Sequence, residues 1–221
     1  MKRYEFELDD RLYNLAAEPI RNKNDIIRLL VETTKFLINS PINSLLCIRR
    51  DRKLILYVDK MSRVIFSLPN KIFSFQFPFS IKSSLLRNNL LKINSCSGLD
   101  IDSSITSALI NIFKQNDVTS DNFIEGLLCK VWEVIDENGW KGMIDDGDLC
   151  NIIRELLMFE PGYFRYDHDE ARKNGRVHPE HHLDFYFSSN NTLKVGLENS
   201  IDVDWIINFM DITTDCKYLI R

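Results

Sequence analysis

The chain has 221 residues, 44% of them hydrophobic and 27% charged, with a formal net charge of −4. That is apolar material for a sizeable core and places the chain far from the disordered regime. It also argues against a membrane or secreted class: no apolar run approaches the ~18 residues of a membrane helix, and Met1 leads into Lys2, Arg3, Glu5, Glu7, Asp9 and Asp10 rather than a signal peptide.

The charge is unevenly spread. Residues 1–100 carry 17 Lys/Arg against 10 Asp/Glu, and residues 101–221 carry 11 against 22. A basic stretch, 44–98, holds Arg49, Arg50, Arg52, Lys53, Lys60, Arg63, Lys71, Lys82, Arg87 and Lys92 against Asp51 and Asp59. Such a surface attracts phosphate backbones or an acidic partner, or it is a solvated polar sheet face or a half that docks on the acidic half of the same chain. The five cysteines (Cys47, Cys96, Cys129, Cys150, Cys216) are scattered without a C-x-x-C pair. They point away from a thiolate zinc site and read mostly as buried small apolar residues in a reducing, cytoplasmic setting.

Taken in chain order, residues 9–39 predict helix, with Ile26, Ile27, Leu29, Leu30, Thr33, Phe36 and Leu37 at helical spacing, Asn24 or Asp25 as cap and Ser40-Pro41 as stop. Leu45–Ile48, Leu54–Val58 and Val64–Leu68 predict a small antiparallel meander. Phe73, Phe75, Phe77 and Phe79 alternate as in a strand with one aromatic face, and read as core. The stretch 82–100 is the best linker candidate. Helical patterning returns over 102–116, 120–138 and 145–158, the last with Asp145, Asp146 and Asp148 at its positive end. Trp132, Trp140 and Trp205 fall on or near apolar stripes and read as core. Strands resume at Tyr163–His168, His181–Phe187 and Thr192–Leu197, with Ser188-Ser189-Asn190-Asn191 as a turn. A helix over Ile201–Ile212 and a short strand at Cys216–Ile220 close the chain. The whole predicts α+β, a helical middle flanked by two small antiparallel β-rich pieces. It divides into a basic half, 1–98, and a half with the His/Asp cluster, 99–221, or forms one continuous domain.

All four histidines (His168, His178, His181, His182) fall within fifteen residues, among Asp167, Asp169, Glu180 and Asp184. Strand alternation puts Arg165, Asp167 and Asp169 on one face of the first C-terminal strand and His182 and Asp184 on one face of the second. Lys194 joins them from the third. Asp167, Asp169, His182 and Asp184 are suitable ligands for Mn, Mg or Zn. Arg165 and Lys194 are then placed to stabilise a phosphate. This order resembles the carboxylate-and-lysine layout of restriction-type nucleases, departing from it at Thr192, where that layout has an acid. Metal-independent acid–base chemistry is the alternative, with His178, His181 or His182 as base and Arg165, Arg176 or Lys194 holding an anion. A third reading is a purely structural or binding network. Adjacent His181 and His182 point to opposite faces, so at most one belongs to the site, and His168 reads as a loop or core residue.

The run Phe159-Glu-Pro-Gly-Tyr-Phe-Arg-Tyr-Asp-His-Asp169, followed by His178-Pro-Glu-His-His-Leu-Asp184 and Thr192-Leu-Lys-Val-Gly196, resembles a group of bacterial proteins associated with mobile-element and phage-defence gene sets. Their common core is an Arg-x-Asp strand, a variable loop, a His-Pro-x-x-His-Leu strand and a final basic strand. The resemblance covers nothing before residue 140 and carries no established mechanism. It implies a bacterial cytoplasmic setting and a link to nucleic acid or to a larger defence assembly.

The leading expectation is therefore an accessory or binding subunit. It contacts a protein partner, and nucleic acid through 44–98, using Arg49, Arg50, Arg52, Lys53, Arg63, Arg176, His178 and His181. The alternatives are a metal-dependent nuclease or phosphodiesterase centred on Arg165, Asp167, His182, Asp184 and Lys194, and an immunity protein or antitoxin.

Overall fold

A computed structural model describes residues 2–42, 50–58, 61–82, 89–115, 126–188 and 191–218, with backbone alone at 50, 115, 186–188, 191 and 192. The fold is α+β: among the described residues, six α-helices and nine strands, all antiparallel, in two sheets. By contact the chain forms two compact units that interleave along the sequence. One is 1–7, 47–76 and 162–221; the other is 8–46 and 77–161.

The second of these is the helical unit. Asp9 caps α1 (Asp10–Ala17) by accepting from the Leu12 amide at 2.7 Å. Pro19 stops it, because the residue before a proline is driven out of the helical region. The single element expected over 9–39 is therefore two. The second, α2 (Lys23–Asn39), starts at a capping box in which Asn22 and Asp25 satisfy each other's amides. Its buried face, with Ile27, Leu30 and Leu37, packs on α3 (Ser103–Gln115). Two more helices, α4 (Leu127–Glu137) and α5 (Asp146–Met158), follow, α5 capped by Asp145. Trp132 is not core: it is 51% exposed, and its indole N–H donates to Asp146 at 2.6 Å across the surface.

The sheet unit holds the strands that matter for the site. The sheet runs β1 (Lys2–Glu7), β2 (Lys53–Val58), β3 (Arg63–Leu68), β4 (Lys71–Gln76), β7 (Phe164–His168), β8 (His181–Ser188), β9 (Asn191–Leu197). The remaining two, β5 (Ser80–Lys82) and β6 (Lys92–Asn94), pair in the helical unit, so part of the expected linker is regular structure. The two β-rich pieces expected at either end of the sequence meet along one seam, β4 against β7. Phe73 and Phe75 share a β4 face, whereas Phe77 and Phe79 leave the strand and pack edge to face, centroids 5.6 Å apart, in the helical unit.

Each sheet face has its own character. Ile55, Tyr57, Ile65, Ile72, Phe164, Tyr166 and Leu183 form one, packed with Ile206 and Ile207 of α6 (Val203–Met210). The other reads, across the strands in register, Leu54, Phe66, Phe73, Arg165, Asp184, Lys194. An apolar row thus turns polar at the β4–β7 seam. No described helix is long and apolar enough to cross a membrane. Cys216–Tyr218 form no strand, and residues 219–220 lie outside the described ones.

Candidate functional site

Two adjacent cross-strand rows build the site. Arg165, Asp184 and Lys194 are Cα partners in one, and Asp167, His182 and Gly196 in the next. Side chains two residues apart on a strand share a face, so five of the predicted residues meet there. The Arg165 Nη2 donates to Asp184 Oδ2 and reaches Asp167 Oδ2, both at 2.8 Å. His182 Nε2 lies 3.6 Å from Asp167 Oδ2 and 3.9 Å from Asp184 Oδ2. Lys194 Nζ stands 3.8 Å from Asp184 Oδ1. The His182 and Asp184 side chains are only 2% and 8% exposed, while Lys194 is 33% exposed and opens the cluster to solvent.

Asp167, His182 and Asp184 can each offer one donor atom, and the three atoms lie within 4.8 Å of one another. The imidazole is oriented for that. Its Nδ1 is 2.9 Å from the Pro179 carbonyl oxygen, which can only accept, so Nδ1–H donates there and the ring is held with Nε2 toward the carboxylates. Burial pushes the Asp167 carboxyl above the usual range, helped by the Asp184 charge and opposed by Arg165 and His182. Lys71, the register partner of Asp167, is held down to about 8 by burial and by the Arg165 charge, with Asp167 pulling the other way.

The loop between β7 and β8 closes over this face. Gly175 takes the left-handed backbone its turn needs (φ +51), and the His178 carbonyl accepts from the Asn174 amide at 2.8 Å. The turn carries His178 between Asp169 and Lys194: its Nε2 is 3.1 Å from Asp169 Oδ2 and its Nδ1 3.2 Å from Lys194 Nζ. Asp169 also accepts from Arg172. These contacts hold its carboxyl below the usual range although desolvation pushes upward. So Asp169 anchors the loop and is not one of the three clustered donors. A β-carbon at Gly196 would come within 2.9 Å of the Pro179 ring. Gly196→Ala is expected to push Pro179 and its carbonyl away from His182 and to cost about 1–3 kcal/mol of stability. Urea unfolding and the His182 ring resonances check this; an unchanged ring environment would contradict it.

The other predicted residues fall elsewhere. His181 and His168 lie on the opposite face of the same strands, and Arg176 is exposed in the loop. In the basic stretch, Lys53 pairs with Glu5 at 2.9 Å. Arg63 donates to Ser74 Oγ and the Gly162 carbonyl, with its pKa lowered by burial to about 10. Lys82 and Lys92 both pair with Asp100. Arg52 sits in a short 3-10 turn, Arg50–Arg52, whose Arg50 is described by backbone alone; Arg49, Lys60 and Arg87 lie outside the described residues. Sequence reasoning missed Lys71, Pro179 and Gly196 as parts of the site. Only the His178-Pro179 step, closing a loop ahead of a histidine strand, signalled any of them.

Comparisons with protein-family models, curated proteins and solved structures found no match.

Proposed function

We propose that this protein is a divalent-cation-dependent phosphoesterase of the nuclease or phosphodiesterase kind. The supporting observation is the largely buried Asp167–His182–Asp184 cluster, with the imidazole oriented by Pro179 so that Nε2 faces two carboxylates, and Lys194 at its open side. Asp167, His182 and Asp184 would hold the cation, which would supply Lewis-acid chemistry toward a phosphate ester. Lys194 stabilises charge gathering on the phosphate, as a preorganised cation does at modest reorganisation cost. Arg165 has a double part. It neutralises the two carboxylates that would hold a cation, so guanidinium and cation would compete for them.

The test is cleavage of DNA, RNA and a generic phosphodiester with Mn²⁺, Mg²⁺ or chelator, in wild type, Asp184→Asn and Lys194→Ala. The expected result is cation-dependent cleavage that falls at least about 10²-fold in both variants. Equal rates in all three, or none in wild type, would overturn the reading.

A second reading rests on the same Arg165 contacts. A guanidinium bridging two carboxylates closes a charge-compensated network that fastens β7 to β8 without turnover. The protein is then a binding subunit that presents this face to a protein or nucleic-acid partner, an immunity-protein role included. Co-purification with a stable partner, together with silence in the cleavage assay, favours it.

A further inference from the structure

The opposite face of the β7–β8 hairpin carries a different set of donors. His168 ends β7, His181 begins β8, and the two are cross-strand partners. Their rings stack, with centroids 4.7 Å apart and planes 26° from parallel. Glu180 directly precedes β8, and its carbonyl is tied to the Asp169 amide at 2.8 Å, so the backbone of all three residues is held by the strand pairing.

The side chains are arranged as well as adjacent. Glu180 Oε2 accepts from Lys173 Nζ at 3.1 Å, which leaves Oε1 for the imidazoles. That oxygen is 3.1 Å from His168 Nε2 and 4.0 Å from His181 Nε2. The far nitrogen of His181, Nδ1, is 2.8 Å from the Tyr166 hydroxyl, the kind of outer contact that orients a ligating imidazole. One donor atom from each of His168, Glu180 and His181 lies within 4.8 Å of the others. Around a zinc-sized ion with bonds of about 2.0–2.1 Å, neighbouring ligand atoms stand roughly 3.3 Å apart. The distances of 3.1 and 4.0 Å bracket that spacing.

We propose that His168, Glu180 and His181 form a cation site of their own, suited to a borderline transition ion such as Zn²⁺ or Co²⁺. Two imidazoles and one carboxylate favour such ions over Mg²⁺ or Ca²⁺, which take oxygen ligands. The oxygen-richer cluster around Asp184 lies on the other face, and the proposal does not depend on its being a cation site. His168 and Glu180 are 39% and 35% exposed at the side chain, so the ion keeps an open side for water or for a ligand from outside. Three protein ligands with an open position are the pattern of a reactive rather than a sealed zinc site.

The experiment is titration of the chelator-stripped full chain with ZnCl2 by calorimetry and with CoCl2 by visible absorption. Wild type, His168→Asn, Glu180→Gln and Asp184→Asn are compared, each checked for folding by circular dichroism. Wild type is expected to take up Zn²⁺ at this site, with a cobalt spectrum of low coordination number that excess Mg²⁺ does not displace. Affinity at this site, read from the ring resonances of His181 and, where present, His168, is expected to fall by about 100-fold or more in His168→Asn and by about 10-fold or more in Glu180→Gln, and to survive in Asp184→Asn, whatever that variant does at the other cluster. Histidine ¹⁵N spectra of wild type give a readout that needs no variant: Zn²⁺ is expected to move the His168 and His181 ring nitrogens together, independently of any change at His182. Unaltered zinc binding in folded His168→Asn, its loss in Asp184→Asn alone, or no uptake by wild type would each overturn the proposal. Failure of the Asp184 cluster to bind Mn²⁺ bears only on the phosphoesterase reading.

Discussion

Arg165→Gln is expected to destabilise the fold by about 2–3 kcal/mol while tightening Mn²⁺ binding at the Asp167–Asp184 cluster by at least tenfold. Removing one partner of a buried ion pair costs about 3–5 kcal/mol because a charge is left uncompensated. The cost is discounted here because Arg165 and Asp167 are 18% and 17% exposed and solvent screens part of the charge. Glutamine is neutral, so both carboxylates lose their counter-charge while much of the stem remains. The deficit depends on pH in a definite sense. Asp167 already sits above the ordinary carboxylate value, and loss of Arg165 removes a positive charge that lowers it. A carboxyl with a raised folded-state pKa favours folding below its unfolded pKa, and that contribution is lost as pH rises through the folded pKa. The gap between variant and wild type should therefore widen from about pH 4 upward. Denaturant unfolding at several pH values, with Mn²⁺ titration at neutral pH, measures both effects. A variant as stable as wild type, or one less stable and still indifferent to Mn²⁺, would contradict the competition between guanidinium and cation.

Phe73→Ala is expected to cost about 3–5 kcal/mol, the usual range for emptying a buried aromatic site. Phe73 is fully buried. It stacks on Phe66 with centroids 4.8 Å apart and planes 9° from parallel, and it packs beside Phe75 and Tyr163. It is also the register partner of Arg165 across the β4–β7 seam. The loss should thus reach the site: amide exchange in β7 should quicken more than in β1. Equilibrium unfolding with residue-resolved exchange checks this. A cost under about 1 kcal/mol would mean that the aromatic row does not hold that seam.

Much of the site was legible because its geometry is local. Two-residue alternation puts Arg165 with Asp167 and His182 with Asp184, and a turn of ordinary length returns Lys194 to the same face. Where sequence reasoning failed, the missing information was non-local or lay at an element's end. The β4–β7 pairing joins strands separated by residues 77–161, the longer segment of the helical unit, so nothing near Lys71 announces that it faces Asp167. Asp169 has the right parity for the cluster, but β7 ends at His168 and the next residue turns into the loop, where Arg172 and His178 take its carboxylate. His168 reads alone as a loop residue and becomes part of a pair only through its register with His181. The charged stretch Lys2–Glu7 conceals a strand because Lys53 and Arg3 pair with Glu5, and such pairings are invisible to periodicity. The basic bias of 44–98 is real in composition, yet Lys53, Arg63, Lys82 and Lys92 use their charge within the fold.

The most direct measurement is an anomalous difference map from crystals of the wild-type chain soaked in MnCl2. A peak within bonding reach of Asp167, Asp184 and His182 Nε2, with the Arg165 guanidinium drawn off at least one carboxylate, is the result expected. A well-ordered map in which Arg165 still bridges both carboxylates, with no peak beside them at saturating manganese, would contradict the cation site and the phosphoesterase built on it.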